Sequence, residues 1–197
     1  VIASIGQGYM LTTPLQLAVA TAAVATRGER FRPQLALGWE HPLDGGFHAF
    51  EPEPLPPVQA QDPLHWEVVI NAMRDVLQGE NGTARAAGMD AAYPMAGKSG
   101  TAQVFSVGQD EEYNEDEIDE RLRDHALFIA FAPLEDPRIA VSVIVENGSS
   151  GSRAAAPIAR SVMDKWLLEE RDQRETVRGR AAAQAGMPVA RSAPAGE

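Results

Sequence analysis

The sequence predicts an α+β fold, with helices before and after a block of antiparallel strands. Two predicted helices begin at Thr13-Pro14 and Asp62-Pro63, and both positions combine an N-cap residue with proline. Alternating side chains in Ile139 to Val145 are typical of a strand. A last helix from about Arg153 to Glu169 can pack back across the sheet. This order of elements is typical of α+β domains.

The first helix is unusual in composition. Its stretch from Leu15 to Ala25 is apolar nearly all round, interrupted mainly by Gln16 and Thr21. A helix without a polar face is buried on most sides. We therefore expect it to lie inside a domain larger than a single layer.

The second and last helices each carry one apolar stripe. Residues of the second helix recur at i, i+3, i+4 and i+7, which predicts one face against a core, and Gly79 ends the helix. These residues are Trp66, Val69, Ile70, Met73, Val76 and Leu77. In the last helix, the predicted stripe consists of Ala155, Ile158, Val162 and Trp166.

The strands are predicted from short apolar runs between turn residues. Phe31 to Trp39 is one candidate despite Pro33, and Ala126 to Ala132 and Ile139 to Val145 form a hairpin through a Pro-containing turn. The proline-rich stretch His41 to Asp62 predicts an extended surface excursion with a hairpin near Gly45-Gly46. With the strand around Lys98, the main sheet has three strands with unpaired edges. We expect it to need further strands from outside this chain.

Composition and charge exclude some classes of function. The formal net charge is −11, and the sequence has no basic stripe, which argues against a nucleic-acid partner. Zero cysteines exclude disulfides and thiolate metal sites. The chain has no apolar run of membrane-helix length. It begins with Val1 and not with Met, which suggests a truncated product. Residues 171–197 have the composition of a disordered tail.

Nine carboxylates fall between Asp110 and Asp124. Such a cluster fits either a cation site or a docking surface for a basic partner. It also fits a solvated loop or short exposed helix, and we favour this second interpretation because the spacing matches no calcium loop.

The segment Ala96-Gly97-Lys98-Ser99-Gly100-Thr101-Ala102-Gln103 is the main candidate site. A strand with this sequence offers an anionic substrate a cation, two hydroxyls and a backbone that can be approached closely. Lys98 is one of only two lysines in the chain. The segment is typical of one wall of an acyl-transfer active site, although by itself it also fits an ordinary strand edge.

Four segments, taken in order, resemble class B penicillin-binding proteins, most closely those of bacterial cell elongation. Ile5 to Ala18 is similar to the segment after the second active-site motif of that family, and Ala96 to Gln103 to the third motif. Arg121 to Pro133 is similar to the next strand, and Val145-Glu146-Asn147-Gly148 to the end of the last strand. The resemblance implies an incomplete fold of the penicillin-binding and serine β-lactamase type. Residues 1–170 would be the C-terminal part of the transpeptidase domain.

The resemblance implies serine-type peptidoglycan D,D-transpeptidation, with acylation of the same serine by β-lactams. Lys98 would supply positive potential beside a proton-shuttling serine, and the hydroxyls of Ser99 and Thr101, on one side of the strand, would hold the substrate carboxylate. Gly100 would keep the strand surface flat, and the Thr101 N–H would be half of the oxyanion hole. We predict neither a cofactor nor a metal.

Two motifs of the family are missing from the printed sequence. It contains neither the Ser-x-x-Lys nucleophile motif nor the Ser-x-Asn motif, and both would precede Ile5. We therefore expect the chain alone to be inactive.

The resemblance also implies partners and a location. The partners are peptidoglycan stem peptides, β-lactams, a membrane glycosyltransferase and elongation-machinery proteins. The location is the periplasmic face of the bacterial inner membrane, with the anchor absent from this sequence. The alternative function is a non-catalytic penicillin sensor or a module that interacts with the cell wall.

Other candidate residues have structural interpretations. His125 could be a base, but a histidine bonded to backbone at a strand start is favoured. The remaining histidines, His41, His48 and His65, have no spacing for metal. We interpret Trp39, Trp66 and Trp166 as packing residues. Glu80 to Arg85 either borders the active-site cleft or is a plain connector.

Overall fold

The computed structural model describes residues 6, 11–43, 45–104 and 118–169. The helices of this part of the chain are α1 (Pro14–Ala25), α2 (Leu64–Gln78), α3 (Arg85–Gly88) and α4 (Ala156–Asp164). The strands are β1 (Arg30–Phe31), β2 (Gly38–Glu40), β3 (Phe47–Ala49), β4 (Pro54–Leu55), β5 (Ala96–Ala102), β6 (His125–Ala132) and β7 (Ile139–Val145). A 3₁₀ turn spans Glu120–Leu122, and π-helical turns at Gly151–Ala155 and Lys165–Glu169 flank α4.

The main sheet has the order β5-β6-β7 and is antiparallel throughout. Lys98 of β5 lies opposite Ile129 of β6, and Thr101 lies opposite Ala126. Ala126 in turn pairs with Val145 of β7. The predicted strands 126–132 and 139–145 are therefore confirmed, and the α+β class with them.

A core lies on each face of this sheet. On one face, α4 and the turn before it pack against β6, with Phe128 and Met163 fully buried. On the other face, Phe131 packs with residues of α1 and α2, among them Ala25 and Ile70. Helices on both sides thus fix β6 in the middle of the fold, and β5 lies beside it.

Helix α1 begins as predicted but is less buried than predicted. The Thr13 hydroxyl accepts from the Gln16 N–H at 3.2 Å, and the Gln16 side chain accepts from the Thr13 N–H at 2.8 Å, which completes a capping box. Burial is confined to the C-terminal half, at Thr21, Ala23 and Ala25. The prediction of burial on most sides therefore holds only for the C-terminal half of α1, because the described elements leave the N-terminal half uncovered.

The predicted strand from Phe31 to Trp39 is also wrong, because the segment divides between two small sheets. β1 pairs with β4, and β2 pairs with β3. The Arg32 N–H still donates to the Glu53 carbonyl at 2.9 Å, but Pro33 has no N–H with which to continue the ladder. The hairpin predicted near Gly45-Gly46 is confirmed as β2–β3, with Gly45 at φ +68°.

Helix α2 agrees with the prediction except at Val69, which is 43% exposed, whereas the buried face of the last helix differs in part from its prediction. The Asp62 carboxylate accepts from the Leu64 N–H at 2.9 Å, and Gly79 ends α2. In α4, Ile158 and Val162 of the predicted stripe are half exposed. Ala155 of the predicted stripe is buried, in the turn before α4, and the buried residues of α4 itself are Ala156, Ala159 and Met163. Small side chains let the helix approach the sheet closely. A prediction that selects the largest apolar residues for the buried stripe does not take this effect into account.

Several sequence-based expectations lie outside the described residues. These include most of the acidic segment, residues 110–117, and the predicted tail from 171 onward. The domain boundary near residue 170 therefore stays a prediction. Among the helices that the structure describes, none is long and apolar enough to cross a membrane.

Candidate active site

The segment Lys98–Thr101 lies in the second half of β5. The first two residues of the strand, Ala96 and Gly97, are buried, whereas Lys98 and Thr101 are exposed and the two residues between them are half buried. Exposure therefore begins where the polar motif begins. The strand is anchored at one end and presents its functional groups at the other.

Register places these side chains on two faces. Residues directly opposite each other in an antiparallel ladder share a face. Ser99 lies opposite Phe128 and Thr101 opposite Ala126, so both hydroxyls are on the α4 side of the sheet. Lys98 lies opposite Ile129, on the α1/α2 side. Ser99 and Thr101 thus share one side, as the motif spacing predicts.

The Lys98 side chain folds along the strand. Its Nζ donates to the Ser99 carbonyl oxygen at 2.6 Å in an exposed position. This bond holds the ammonium against the strand backbone at Ser99. The segment therefore combines one cation and two hydroxyls in a short length of backbone, as an anionic ligand requires.

Two glycines of β5 have different surroundings. A Cβ at Gly97 would lie 2.8 Å from the Ile129 carbonyl oxygen and 2.8 Å from the Phe128 ring. A Cβ at Gly100 would meet only the Leu127 Cβ, at 3.4 Å. Gly97 is required by packing within the protein, whereas the surface above Gly100 is open.

The turn after β7 reaches the same segment, which the sequence analysis missed. A Cβ at Gly151 would overlap the Leu127 carbonyl oxygen and would lie 2.6 Å from the Gly100 carbonyl oxygen and 3.1 Å from the Gly100 nitrogen. Gly151 is buried. The available signal was the Gly/Ser-rich loop directly before a helix, which is typical of close backbone approach.

Asn147 fixes the approach to β6. It has φ +54°, a left-handed conformation that asparagine tolerates. Its side-chain amide donates to the carbonyls of Arg121 at 3.0 Å and Arg123 at 2.8 Å, and its N–H donates to His125 Nδ1 at 3.0 Å. His125 is therefore a strand-start histidine bonded to backbone, the interpretation that the sequence favours.

A polar cluster ties α4 to the chain that leads into β5. Arg160 donates to both carboxylate oxygens of Asp164 at 2.8 Å, and the Tyr93 hydroxyl donates to the same carboxylate at 2.6 Å. Arg160 also donates to the carbonyls of Ala87, Met89 and Asp90. The cluster holds the segment that leads into β5 against the last helix.

The same contacts change proton affinities. Burial raises the pKa of Asp164, but the hydrogen bonds from Arg160 and Tyr93 outweigh it and leave that pKa below its ordinary value. Burial and the Asp164 carboxylate raise the pKa of the Tyr93 hydroxyl strongly. Near neutral pH, Asp164 and Arg160 are thus charged, and the Tyr93 hydroxyl keeps its proton.

The remaining candidates lie away from β5 or serve packing. Trp39 stacks on His48 with ring centroids 4.2 Å apart on the β2–β3 hairpin, and Trp66 of α2 is partly buried and packs against the core of the α1/α2 side. In the segment Glu80 to Arg85, the Ala84 N–H donates to the Val76 carbonyl, and Ala84 is buried. The described residues contain no group of three side chains placed to hold a metal ion.

Comparison with known proteins places this geometry in a family. Residues 1–164 match the penicillin binding protein transpeptidase domain, and the chain belongs to this family. A relative from Haemophilus influenzae, named peptidoglycan D,D-transpeptidase MrdA, is 42% identical over 173 residues, which cover 87% of this chain and 26% of the relative. The chain thus spans about a quarter of that relative's length.

Two solved structures are similar in fold. The crystal structure of Pseudomonas aeruginosa PBP2 in complex with WCK 5153 has a TM-score of 0.68 and 46% identity, and the match covers 86% of this chain and 34% of that one. The complex between penicillin-binding protein PBP2 and MreC from Helicobacter pylori has a TM-score of 0.64 and 26% identity, covering 85% of this chain and 27% of that one. The resemblance to class B proteins of the elongation type is confirmed, and so is the incomplete penicillin-binding fold.

Proposed function

We propose that this chain forms the C-terminal wall of a serine-type peptidoglycan D,D-transpeptidase that acts in cell-wall elongation and is a target of β-lactams. The observation that carries the proposal is the exposure of Lys98 and Thr101 in the second half of β5, a strand whose first residues are buried. The name of the Haemophilus relative supports the reaction, and the solved PBP2 structures support the elongation class.

In this proposal, a serine outside residues 1–197 attacks the penultimate D-Ala carbonyl of a stem peptide, and D-Ala leaves. An amine of a second strand then takes the acyl group. Lys98 supplies positive potential beside the reacting groups, and Ser99 and Thr101 hold the substrate carboxylate. The Thr101 N–H supplies half of the oxyanion hole, where loss of one donor costs on the order of 100- to 1,000-fold in rate.

Gly100 has a passive role that its surroundings support. The open space above it lets a substrate backbone lie flat against β5. A Cβ at this position would occupy that space and would meet the protein only at the Leu127 Cβ, at 3.4 Å. Gly100 therefore contributes to substrate binding through the absence of a side chain.

The wider context of the enzyme belongs to the same proposal. The site faces the periplasm at the bacterial inner membrane, with stem peptides as substrates and a membrane glycosyltransferase and elongation-machinery proteins as partners. The MreC complex of the Helicobacter pylori protein supports partners of the last kind.

The test is acylation of the full gene product that contains residues 1–197. Incubation with a fluorescent penicillin followed by intact-mass measurement should give one covalent adduct, and Lys98→Ala should slow its formation severely. Arg74→Ala, which removes another exposed cation away from β5, is the control and should acylate normally.

A second assay separates the enzyme from the sensor. A transpeptidase releases D-Ala from a stem-peptide substrate, whereas a penicillin sensor forms the adduct without turnover. An adduct without D-Ala release would therefore favour the sensor over the enzyme. The absence of any adduct would contradict both interpretations.

A further inference from the structure

We propose that Gly151 and Asn147 are positioning residues for acyl transfer. They fix the position of the Gly100–Thr101 backbone of β5, so that the Thr101 hydroxyl and N–H lie where the substrate carboxylate and the oxyanion bind. This inference rests on the function proposed above. Both lie in the connection between β7 and α4, and in this proposal they act through the backbone of β5 and not on the substrate itself.

The first contact is between two backbones. Gly151 lies so close to β5 and β6 that a Cβ would overlap the Leu127 carbonyl and crowd both the nitrogen and the oxygen of Gly100. Gly100 directly precedes the residue whose hydroxyl and N–H serve the substrate. Any side chain at position 151 must therefore push the turn or the Gly100–Thr101 backbone away.

The second contact holds the partner strand. Ala126, the residue opposite Thr101, is fully buried, and a Cβ at Gly148 would lie 3.1 Å from the Ala126 Cβ. Asn147 bonds to the carbonyls of Arg121 and Arg123 and to the ring of His125. The turn therefore restrains the first residues of β6 and, through the ladder, Thr101.

The third observation is that both contacts act on the same end of the β5–β6 ladder. The Ser149 N–H donates to the Asp124 carbonyl at 2.8 Å, so this turn also bonds to the residue before β6. β6 begins opposite the exposed end of β5, where Ala102 pairs with His125. The turn thus restrains the exposed end of the ladder, the end that the cores of α1 and α2 do not reach. A displacement of about 1 Å in a reacting geometry can cost on the order of 100-fold in rate.

The experiment uses the full gene product and compares Gly151→Ala with Gly88→Ala. Gly88 is an equally demanding control, because a Cβ there would overlap the Leu77 carbonyl oxygen between α2 and α3, away from β5. We expect Gly151→Ala to lower the second-order acylation constant for a fluorescent penicillin about 100-fold. Gly88→Ala should leave that constant close to its original value at a similar loss of melting temperature.

A double-mutant cycle with Thr101→Val separates positioning from general stability. If Gly151 acts through Thr101, the two rate losses should combine to less than their product, whereas independent effects multiply. Should Gly151→Ala fail to fold, Asn147→Gly takes its place in the cycle. It keeps the left-handed backbone and removes both amide hydrogen bonds.

Two outcomes would overturn this inference and leave the proposed function intact. The first is a Gly151→Ala protein that is acylated as fast as Gly88→Ala. The second is a double-mutant cycle in which the rate losses of Gly151→Ala and Thr101→Val multiply. If the unchanged protein forms no adduct, the proposed function fails, and this inference fails with it.

Discussion

At the scale of single residues, β5 separates packing from function within one strand. Gly97 and Gly100 are three residues apart, yet only Gly97 is closed in by the protein's own atoms. The same substitution should therefore have opposite consequences at the two positions.

Gly97→Ala should destabilise the full gene product by about 1–3 kcal/mol, because the new methyl group overpacks the Ile129 carbonyl and the Phe128 ring. Gly100→Ala should change the free energy of unfolding by less than about 1 kcal/mol but should slow acylation. Chemical denaturation and penicillin labelling measure the two effects. A Gly100→Ala protein with unchanged acylation would show that no substrate lies against this position.

Thr101 is the second residue whose role can be isolated. Thr101→Val keeps the shape of the side chain and removes the hydroxyl that would bond to a carboxylate. Acylation should slow at least about tenfold, as expected for one charge-assisted hydrogen bond. Thr26→Val is the matched control, since the Thr26 hydroxyl donates to the Ala22 and Glu29 carbonyls at the end of α1. It should alter stability and leave acylation unchanged, and equal rates in both variants would remove Thr101 from the site.

At the scale of elements, the cluster of Tyr93, Arg160 and Asp164 connects the last helix to the start of β5. The side chains of Arg160 and Asp164 are only 18% and 33% exposed, so solvent screens their attraction in part. The carbonyl oxygens of residues 87, 89 and 90 accept hydrogen bonds from the same guanidinium. Breaking the pair therefore affects both the helix and the connection.

This cluster predicts a pH dependence. Because the pKa of Asp164 is lowered in the folded protein, its contribution is fully present above the ordinary carboxyl pKa of about 3.9 and is lost as pH falls further, through the folded pKa. At pH 7, Asp164→Asn should lower the free energy of unfolding by about 1–3 kcal/mol.

The measurement is the melting temperature of both proteins between pH 7 and strongly acidic pH. The gap between them should narrow below about pH 4. Asp136→Asn is the control, because the Arg138–Asp136 pair is exposed. A gap between the unchanged protein and Asp164→Asn that stays constant with pH would contradict the assignment.

The sequence predicted elements well where one local signal was sufficient. The capping residues at Thr13 and Asp62, the apolar run of β6 and the alternation in β7 gave correct elements. The buried side of α4 could not be predicted, since it depends on how closely alanines let the helix approach the sheet. The contact of Gly151 with β5 joins positions about fifty residues apart, which no local pattern encodes.

The candidate site was predicted from its motif rather than from its surroundings. The spacing of Ser99 and Thr101 implied a shared side, and the register agrees. The roles of these residues stay predictions until acylation is measured. The motif could not indicate that the turn with Asn147 and Gly151 supports it, because neither residue has a side chain typical of a catalytic group.

At the scale of the whole molecule, apolar surface marks where the fold is incomplete. Leu11 is 87% exposed and Leu15 60% exposed at the start of α1, and Leu64 and Val68 are exposed at the start of α2. Surface of this kind normally packs against another part of the protein. We expect the isolated chain to bind a hydrophobic dye and to self-associate more than a longer gene product.

Leu15→Glu tests this expectation, because its effect should change sign with context. In the isolated chain, the charge should reduce dye binding and self-association. In the longer gene product, where we expect Leu15 to be buried, the same change should cost about 2–4 kcal/mol of stability. Leu35→Glu is the control, since Leu35 is fully exposed on a short connection and should have little effect in either protein. If Leu15→Glu leaves the longer protein as stable as before, α1 is not covered there, and the apolar composition of this helix needs another explanation.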